Sequence, residues 1–286
     1  MTVGDALARG TERLQTVSTS PRIDAVRLLD VVSGRNVAWL FAHADAQLEP
    51  HDAARFEALL ERRAVGEPLA YIVGDAGFYG RTFSVSPAVL VPRPESEHIV
   101  ELALEGLRSR RTSEPVRICD VGTGSGSLAV TLALELPDAH VVAIDVSPDA
   151  LAVAAQNASA LGAESRIRFV LGDLFESLEP DERFDCIVAN LPYVATAELA
   201  RAPAPTSFEP RLALDGGRDG LEAYRRLLAG VPDRLIECGR LLMEAGPDTA
   251  QALAVLTQAA FGPASDVNVA ADYAARERIV SVRRRA

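Results

Sequence analysis

Asp120-Val121-Gly122-Thr123-Gly124-Ser125-Gly126 decides how the chain folds. It closes an apolar run over residues 116–121, which predicts a buried strand, and opens an apolar stretch over 126–136, which predicts a helix. Glycines there let the backbone turn tightly and let a ligand approach the main chain closely. The first N–H groups of the helix are then free to meet polar ligand atoms. Outward from this loop the alternation repeats. Strands are predicted at 141–145, 167–171, 185–189 and 240–245, with a helix over 148–161 and further helical patterns between them. Short buried strands separated by helices imply parallel pairing through βαβ units, hence an α/β chain with a doubly wound, mostly parallel sheet. Val267-Asn268-Val269 and Arg278-Ile279-Val280-Ser281-Val282 predict a terminal antiparallel pair.

Toward the N-terminus the texture differs. Apolar residues recur three and four apart in Ala25-Val26-Leu28-Leu29-Val32 and in Ala54-Phe56-Leu59-Leu60, so the first ~70 residues predict a small helical bundle. Pro21 is placed to open one of these helices and Asp52 to cap another. Near Pro68 the pattern changes. Tyr71-Ile72-Val73-Gly74 leads into Gly77-Phe78-Tyr79-Gly80-Arg81-Thr82-Phe83-Ser84-Val85, whose aromatic and β-branched residues around glycines predict a β-hairpin. Val91-Pro92-Arg93-Pro94 stops regular structure, and Glu95 or Ser96 starts a helix through Leu107. Arg108–Pro115 is a polar connector.

Composition narrows the function. The 286 residues are 48% hydrophobic and 24% charged, a globular balance with length for one large domain or two modest ones. No run approaches the ~18 apolar residues of a membrane helix, and the first residues show no secretory pattern, so a cytoplasmic protein away from membranes is expected. All 29 cationic residues are arginine. Schiff-base chemistry and a P-loop lysine are thereby excluded. A net charge of −11 opposes a broad nucleic-acid surface. Cys119, Cys186 and Cys238 are far apart in apolar runs and are expected to be reduced and buried. His43, His51, His98 and His140 show no metal-ligand spacing, so no metal site is expected.

Two further strand ends carry acids. Asp145 ends Val141-Val142-Ala143-Ile144-Asp145, where a carboxylate can accept from both hydroxyls of a ribose, whether of NAD or of S-adenosylmethionine. Leu171-Gly172-Asp173-Leu174 ends the next strand, placing Asp173 to accept from an adenine amino group and Leu174 to lie against its ring. The fourth strand, Phe184-Asp185-Cys186-Ile187-Val188-Ala189, runs into Asn190-Leu191-Pro192-Tyr193. An amide or aromatic amino nitrogen has a delocalised lone pair and is a poor nucleophile. The Asn190 side-chain oxygen can accept one of its N–H groups and a neighbouring backbone carbonyl, that of Leu191, the other. Such bonds align the nitrogen and stabilise the positive charge that develops on it. Tyr193 can stack on a flat substrate group and Pro192 stiffens the loop.

Resemblances sharpen this. Asp-x-Gly-x-Gly-x-Gly from Asp120 resembles the first motif of class I S-adenosylmethionine-dependent methyltransferases. It departs from the dinucleotide fingerprint, because its third glycine comes one residue early and Ser stands at 127. Asn190-Leu191-Pro192-Tyr193 resembles the motif of methyltransferases that act on planar nitrogen. With Pro68-x-x-Tyr71-Ile72-x-Gly74, Phe78-x-Gly80-x-x-Phe83-x-Val85, Val91-Pro92-Arg93-Pro94-Glu95-Ser96-Glu97 and Phe208-Glu209-Pro210-Arg211-Leu212-Ala213-Leu214-Asp215-Gly216-Gly217-Arg218-Asp219-Gly220-Leu221, most of the chain is similar to the release-factor glutamine N5-methyltransferases (PrmC/HemK family). The resemblance implies a seven-stranded methyltransferase sheet over 96–286, a β-hairpin hinge over 76–95 and a substrate-docking helical domain over 1–75. It implies S-adenosylmethionine as cofactor, with S-adenosylhomocysteine as product, and the Gly-Gly-Gln glutamine of peptide chain release factors as methyl acceptor. The cofactor would be held by Asp120, Gly122, Thr123, Gly124, Ser125, Gly126, Asp145, Asp173, Leu174 and Asn190. The substrate would be held by Asn190, Leu191, Pro192 and Tyr193, with Asn190, Pro192 and Tyr193 catalytic. The enzyme is expected to be a monomer that binds no nucleic acid.

Three residues depart from the family pattern: Leu191 replaces a proline, Leu174 a frequent aromatic and Ala275 a common glycine. Asn-Leu-Pro-Tyr is also the form of rRNA adenine dimethylases. The alternatives are therefore an adenine N6 methyltransferase on rRNA or DNA and a glutamine methyltransferase of a ribosomal protein. More distant ones are a nicotinamide-dependent oxidoreductase and a non-catalytic cofactor-binding module. Arg93 and Glu209 are each open to a structural or a substrate-facing role.

Overall fold

The predicted buried strands pack two separate cores, one on each face of a single sheet. The structure, a computed structural model, describes residues 1–108, 114–201, 204–272 and 274–285. They form two compact units, Met1–Asp75 with Pro203–Phe208, and Ala76–Ala202 with Glu209–Ala286.

In the first unit the helices are α1 (Val3–Leu14), α2 (Pro21–Ser33), α3 (Val37–Ala42), α4 (Pro50–Ala64) and α5 (Leu69–Val73). Thr2 and Asp5 cap α1 reciprocally, each side chain bonding the other's backbone N–H. Leu14, Leu28, Leu29, Leu40, Phe56 and Leu60 fill the core. Arg63 and Asp24 form a buried ion pair at 2.7 Å. One local expectation is corrected. Pro50 at the first helical turn opens α4 two residues earlier than Asp52, which sits inside that turn. Tyr71-Ile72-Val73 lies in α5, which ends at Gly74 in a left-handed conformation.

The second unit begins with the hairpin β1 (Asp75–Phe78) and β2 (Arg81–Ser84), followed by α6 (Glu97–Arg108). Then come β3 (Arg117–Val121), α7 (Ser127–Glu135), β4 (His140–Asp145), α8 (Pro148–Ala160), β5 (Ile167–Leu171) and β6 (Phe184–Ala189). The chain closes with α9 (Thr196–Leu199), α10 (Glu222–Arg234), β7 (Leu235–Glu244), α11 (Ala250–Phe261), β8 (Ser265–Ala271) and β9 (Glu277–Arg284). Most of the connector at Arg108–Pro115 lies outside the described residues.

Seven strands form one sheet in the order β5-β4-β3-β6-β7-β9-β8. Five are parallel, and β9 runs antiparallel to both β7 and β8. Ile118, Val141, Cys186, Val188 and Leu242 face a core shared with α6, α7 and the hairpin's Phe78 and Phe83. Their neighbours Cys119, Val142, Ile187, Leu241 and Met243 face the core shared with α10 and α11. β7 begins five residues earlier than the apolar run predicts. It carries a register shift against β6, and Cys238 within it is exposed at φ +60°, against the expectation of burial. Cys119 and Cys186 are buried, and burial pushes the Cys186 thiol up to about 12. Among the described residues no helix is long and apolar enough to cross a membrane, and no group of His, Cys, Asp and Glu could hold a metal ion.

Candidate active site

The strand order reverses direction between β3 and β6, and open α/β sheets place ligands outside the strands' carboxyl ends at such a switch. A cleft of about 280 Å³ lies there. Its lining comes from the loop after β3, the ends of β4 and β5, and Asn190 and Pro192 after β6, with Val89, Leu90, Pro92, Arg93, Leu212 and Arg226 also contributing.

Gly122, Gly124 and Gly126 all have positive φ, so the loop's shape is a backbone property. Gly122 also has no room for a side chain, because a Cβ there would stand 2.8 Å from Leu191 Cδ2. A Cβ on Gly124 would instead enter open space beside the cleft. The loop is held from below. Asp120 is fully buried, and its Oδ2 accepts from the Thr123 hydroxyl (2.7 Å) and the Ala129 N–H (3.2 Å). Burial raises its carboxyl to about 7, against the pull of those two bonds. The N–H groups of Gly122 and Thr123 both reach the Ile144 carbonyl, and Gly126 N–H reaches Thr123 O. These N–H groups are therefore already engaged, and what the loop offers a ligand there is close approach.

Asp145 lines the cleft at the end of β4. Its Oδ2 accepts from Gly124 N–H and its Oδ1 from Ser147 N–H, both at 2.9 Å. Burial raises its carboxyl, and these backbone donors oppose the rise. Each oxygen keeps further lone-pair capacity, so a diol can be accepted alongside. Asp173 and Leu174 also line the cleft. Asp173 Oδ2 is paired with Arg226 at 2.7 Å, and Leu174 sits at φ +53°, strain that suits a ligand-facing position. An acid for a ribose, an apolar wall of Ile144 and Leu174, and a second acid at the far strand end fit an adenosine group.

The motif after β6 is fixed by long-range bonds. Asn190 Nδ2 donates to Ser96 Oγ (2.9 Å) and Glu244 Oε2 (3.0 Å). Both hydrogens of that amide are thus used, and Oδ1 is the polar atom left for the cleft that Asn190 lines. Glu244, at the end of β7, is 1% exposed. It also accepts from Ser96 Oγ, and its Oε1 accepts from Tyr193 OH at 3.2 Å. Burial raises its carboxyl while the Ser96 and Tyr193 bonds hold it down. Leu191 N–H donates to the buried Tyr224 hydroxyl at 3.1 Å, and that hydroxyl's one proton is shared between the carbonyls of Leu191 and Glu244. The glycine-rich segment behind the motif buttresses it: Val194 N–H bonds Leu214 O and Gly216 N–H bonds Val194 O. At Gly220 any side chain would strike the Tyr193 carbonyl.

Of the sequence-predicted residues, Gly122, Thr123, Gly124, Ser125, Asp145, Asp173, Leu174, Asn190 and Pro192 come together on the cleft. Asp120, Gly126, Leu191 and Tyr193 lie outside its lining. Arg93 lines the cleft and bonds Glu209, whose other oxygen accepts from Val91 N–H; the pair ties the two segments together. Sequence reasoning missed Glu244 and Tyr224 and read Ser96 only as a helix start. Each belongs to an element remote in sequence from Asn190, and no local pattern marks it.

The chain is similar to known proteins over most of its length. Residues 5–74 match the family described as a PrmC N-terminal domain, and residues 112–215 match a methyltransferase domain. The chain is 44% identical over 260 residues to the release factor glutamine methyltransferase of Bordetella pertussis, covering 91% of this chain and 93% of that one. It is 43% identical over 286 residues to the Cereibacter sphaeroides protein of the same name, covering 99% of each. A Thermus thermophilus 16S rRNA N2 G1207 methyltransferase, solved in complex with AdoMet and guanosine, has the same fold, with a TM-score of 0.53 and 20% identity over 74% of this chain and 50% of that one.

Proposed function

The chain belongs to the release factor glutamine methyltransferase family, and we propose that it methylates the side-chain amide nitrogen of the Gly-Gly-Gln glutamine of a release factor, with S-adenosylmethionine as donor. The observation that carries this reading is the Asn190 amide, whose NH2 is tied to Ser96 and Glu244 so that its oxygen serves the cleft.

When bound, S-adenosylmethionine supplies a methyl group activated by the sulfonium charge. Gly122 to Ser125, Asp145, Asp173 and Leu174 would hold it. Asn190 Oδ1 accepts one N–H of the glutamine amide, and the Leu191 carbonyl has a second lone pair for the other. Those bonds orient the nitrogen and offset the positive charge that builds on it, which is where electrostatic preorganisation has most effect. No strong base is needed, since an alkylated amide nitrogen sheds its proton readily. Leu191 in place of proline keeps the carbonyl, and Tyr224 fixes that peptide in proline's stead.

Radiolabelled methyl transfer to two purified release factors tests the reading, one with its Gly-Gly-Gln glutamine and one with alanine there. Label in the first alone is expected. Equal label in both, or label only in RNA that ribonuclease removes, would overturn it.

A further inference from the structure

We propose that Glu244 is a positioning residue that decides which end of the Asn190 side chain faces the substrate. This rests on the reading of Asn190 as the amide acceptor. The two ends of an asparagine side chain have nearly the same shape but opposite hydrogen-bonding character. Facing the cleft with its NH2, Asn190 would set donor against donor and repel the substrate amide. Something must therefore hold the orientation.

Ser96 alone cannot, because a hydroxyl donates or accepts equally well. Glu244 can, because an ionised carboxylate only accepts. Its Oε2 takes the Ser96 proton, which turns the lone pairs of Ser96 Oγ toward Asn190. The same oxygen takes an Asn190 N–H directly at 3.0 Å. Reversing the amide would place Asn190 Oδ1 against a buried carboxylate at hydrogen-bond distance, with no proton between them. Tyr193 donates to the other oxygen and keeps the carboxylate from turning. The polarity of the network therefore runs outward from one buried acid to one oxygen at the cleft.

The test exchanges donor and acceptor across the pair in the full-length enzyme. Asn190→Asp still offers an oxygen to the cleft but sets a second carboxylate oxygen against Glu244. Its kcat should fall by about 100-fold. Adding Glu244→Gln restores every partner. The introduced amide then donates its NH2 to the introduced carboxylate and accepts from Tyr193 through its oxygen, while Ser96 donates to that same carboxylate. The double variant should regain at least about tenfold over Asn190→Asp, and the same cycle should appear in the thermal midpoints. Glu244→Gln alone can still take the Asn190 N–H and should stay within about tenfold of the parent, whereas Glu244→Ala should lose about 30- to 100-fold in kcat with its S-adenosylhomocysteine Kd within about threefold.

A double variant no better than Asn190→Asp overturns the proposal. So does Glu244→Gln as inactive as Asn190→Ala, which would make the charge rather than the orientation the requirement. Where Asn190→Asp does not fold by circular dichroism, Glu244→Gln against Glu244→Ala decides on its own. Parent enzyme that labels no release factor would instead count against the proposed substrate, and the thermal-midpoint cycle would still read the coupling.

Discussion

Two loops leave the sheet side by side, after β3 and after β6, with Val121 opposite Ala189 in register. They line one cleft and are built by opposite means. The glycine loop takes its shape from positive-φ backbone and from bonds inside a short stretch of chain, anchored by Asp120 and Asp145. The Asn190 loop has ordinary backbone. It is held by side chains 94, 33 and 54 residues away in sequence: Ser96, Tyr224 and Glu244. The first arrangement leaves room for a ligand. The second leaves one oxygen, with its direction set. A shape that must admit a bulky cofactor suits the former, and an atom that must be aimed at a reacting nitrogen suits the latter.

The largest expected effect breaks the second loop. Asn190→Ala removes the aimed oxygen and should lower kcat by about 1,000-fold, about 4 kcal/mol of transition-state stabilisation, with S-adenosylhomocysteine affinity within a few-fold. Steady-state transfer assays and calorimetry check both halves. Gly122→Ala breaks the first loop. The added methyl meets Leu191 at 2.8 Å on a backbone at φ +74°, so the loop must move. Calorimetry should show S-adenosylhomocysteine bound about 30- to 100-fold more weakly, with saturating kcat less affected. Equal losses of affinity in the two variants would dissolve the contrast.

This contrast also explains what the sequence disclosed. Asp-x-Gly-x-Gly-x-Gly is legible because its cause is local: the residues that need positive φ are themselves glycines, and a strand and helix flank them. Alternating apolar runs likewise placed the parallel strands, since each buried face is written in its own segment. Asn190 to Tyr193 could be located but not explained. Glu244 ends an apolar strand and looks like a surface charge at its edge, although the fold buries it. Tyr224 looks like one more core aromatic. Their roles follow from which strand ends meet, which is tertiary information.

Asp120 sharpens the comparison from the side of stability. Its carboxyl rises from 3.8 to about 7 because it is buried, so the folded state holds its proton more tightly than the unfolded state. Its stabilising contribution is full below pH ~3.8 and is lost as pH rises through about 7. Urea unfolding of the parent should therefore show, from this group, a decline of a few kcal/mol between about pH 4 and pH 8. Asp120→Asn should flatten that segment of the profile. An unchanged profile would mean that the anchor of the glycine loop stays ionised throughout.

The smallest effect tests the rule that left-handed backbone selects glycine. In the turn between β8 and β9, Ala275 sits at φ +58° without being glycine. Local bonds hold it there: Ala275 N–H reaches Asp272 O at 2.9 Å, and Asp272 Oδ1 accepts from the N–H groups of Ala274 and Arg276. Left-handed backbone costs an L-residue roughly 1–2 kcal/mol, but a glycine also loosens the unfolded chain. Ala275→Gly should therefore gain only about 0.5–1 kcal/mol and raise the thermal midpoint by about 1–4 °C. Because Ala275 is not part of the cleft lining, methyl transfer should not change. A lower midpoint would mean that the Asp272 bonds already offset the strain, and that this turn, unlike the loop after β3, does not need glycine to hold its shape.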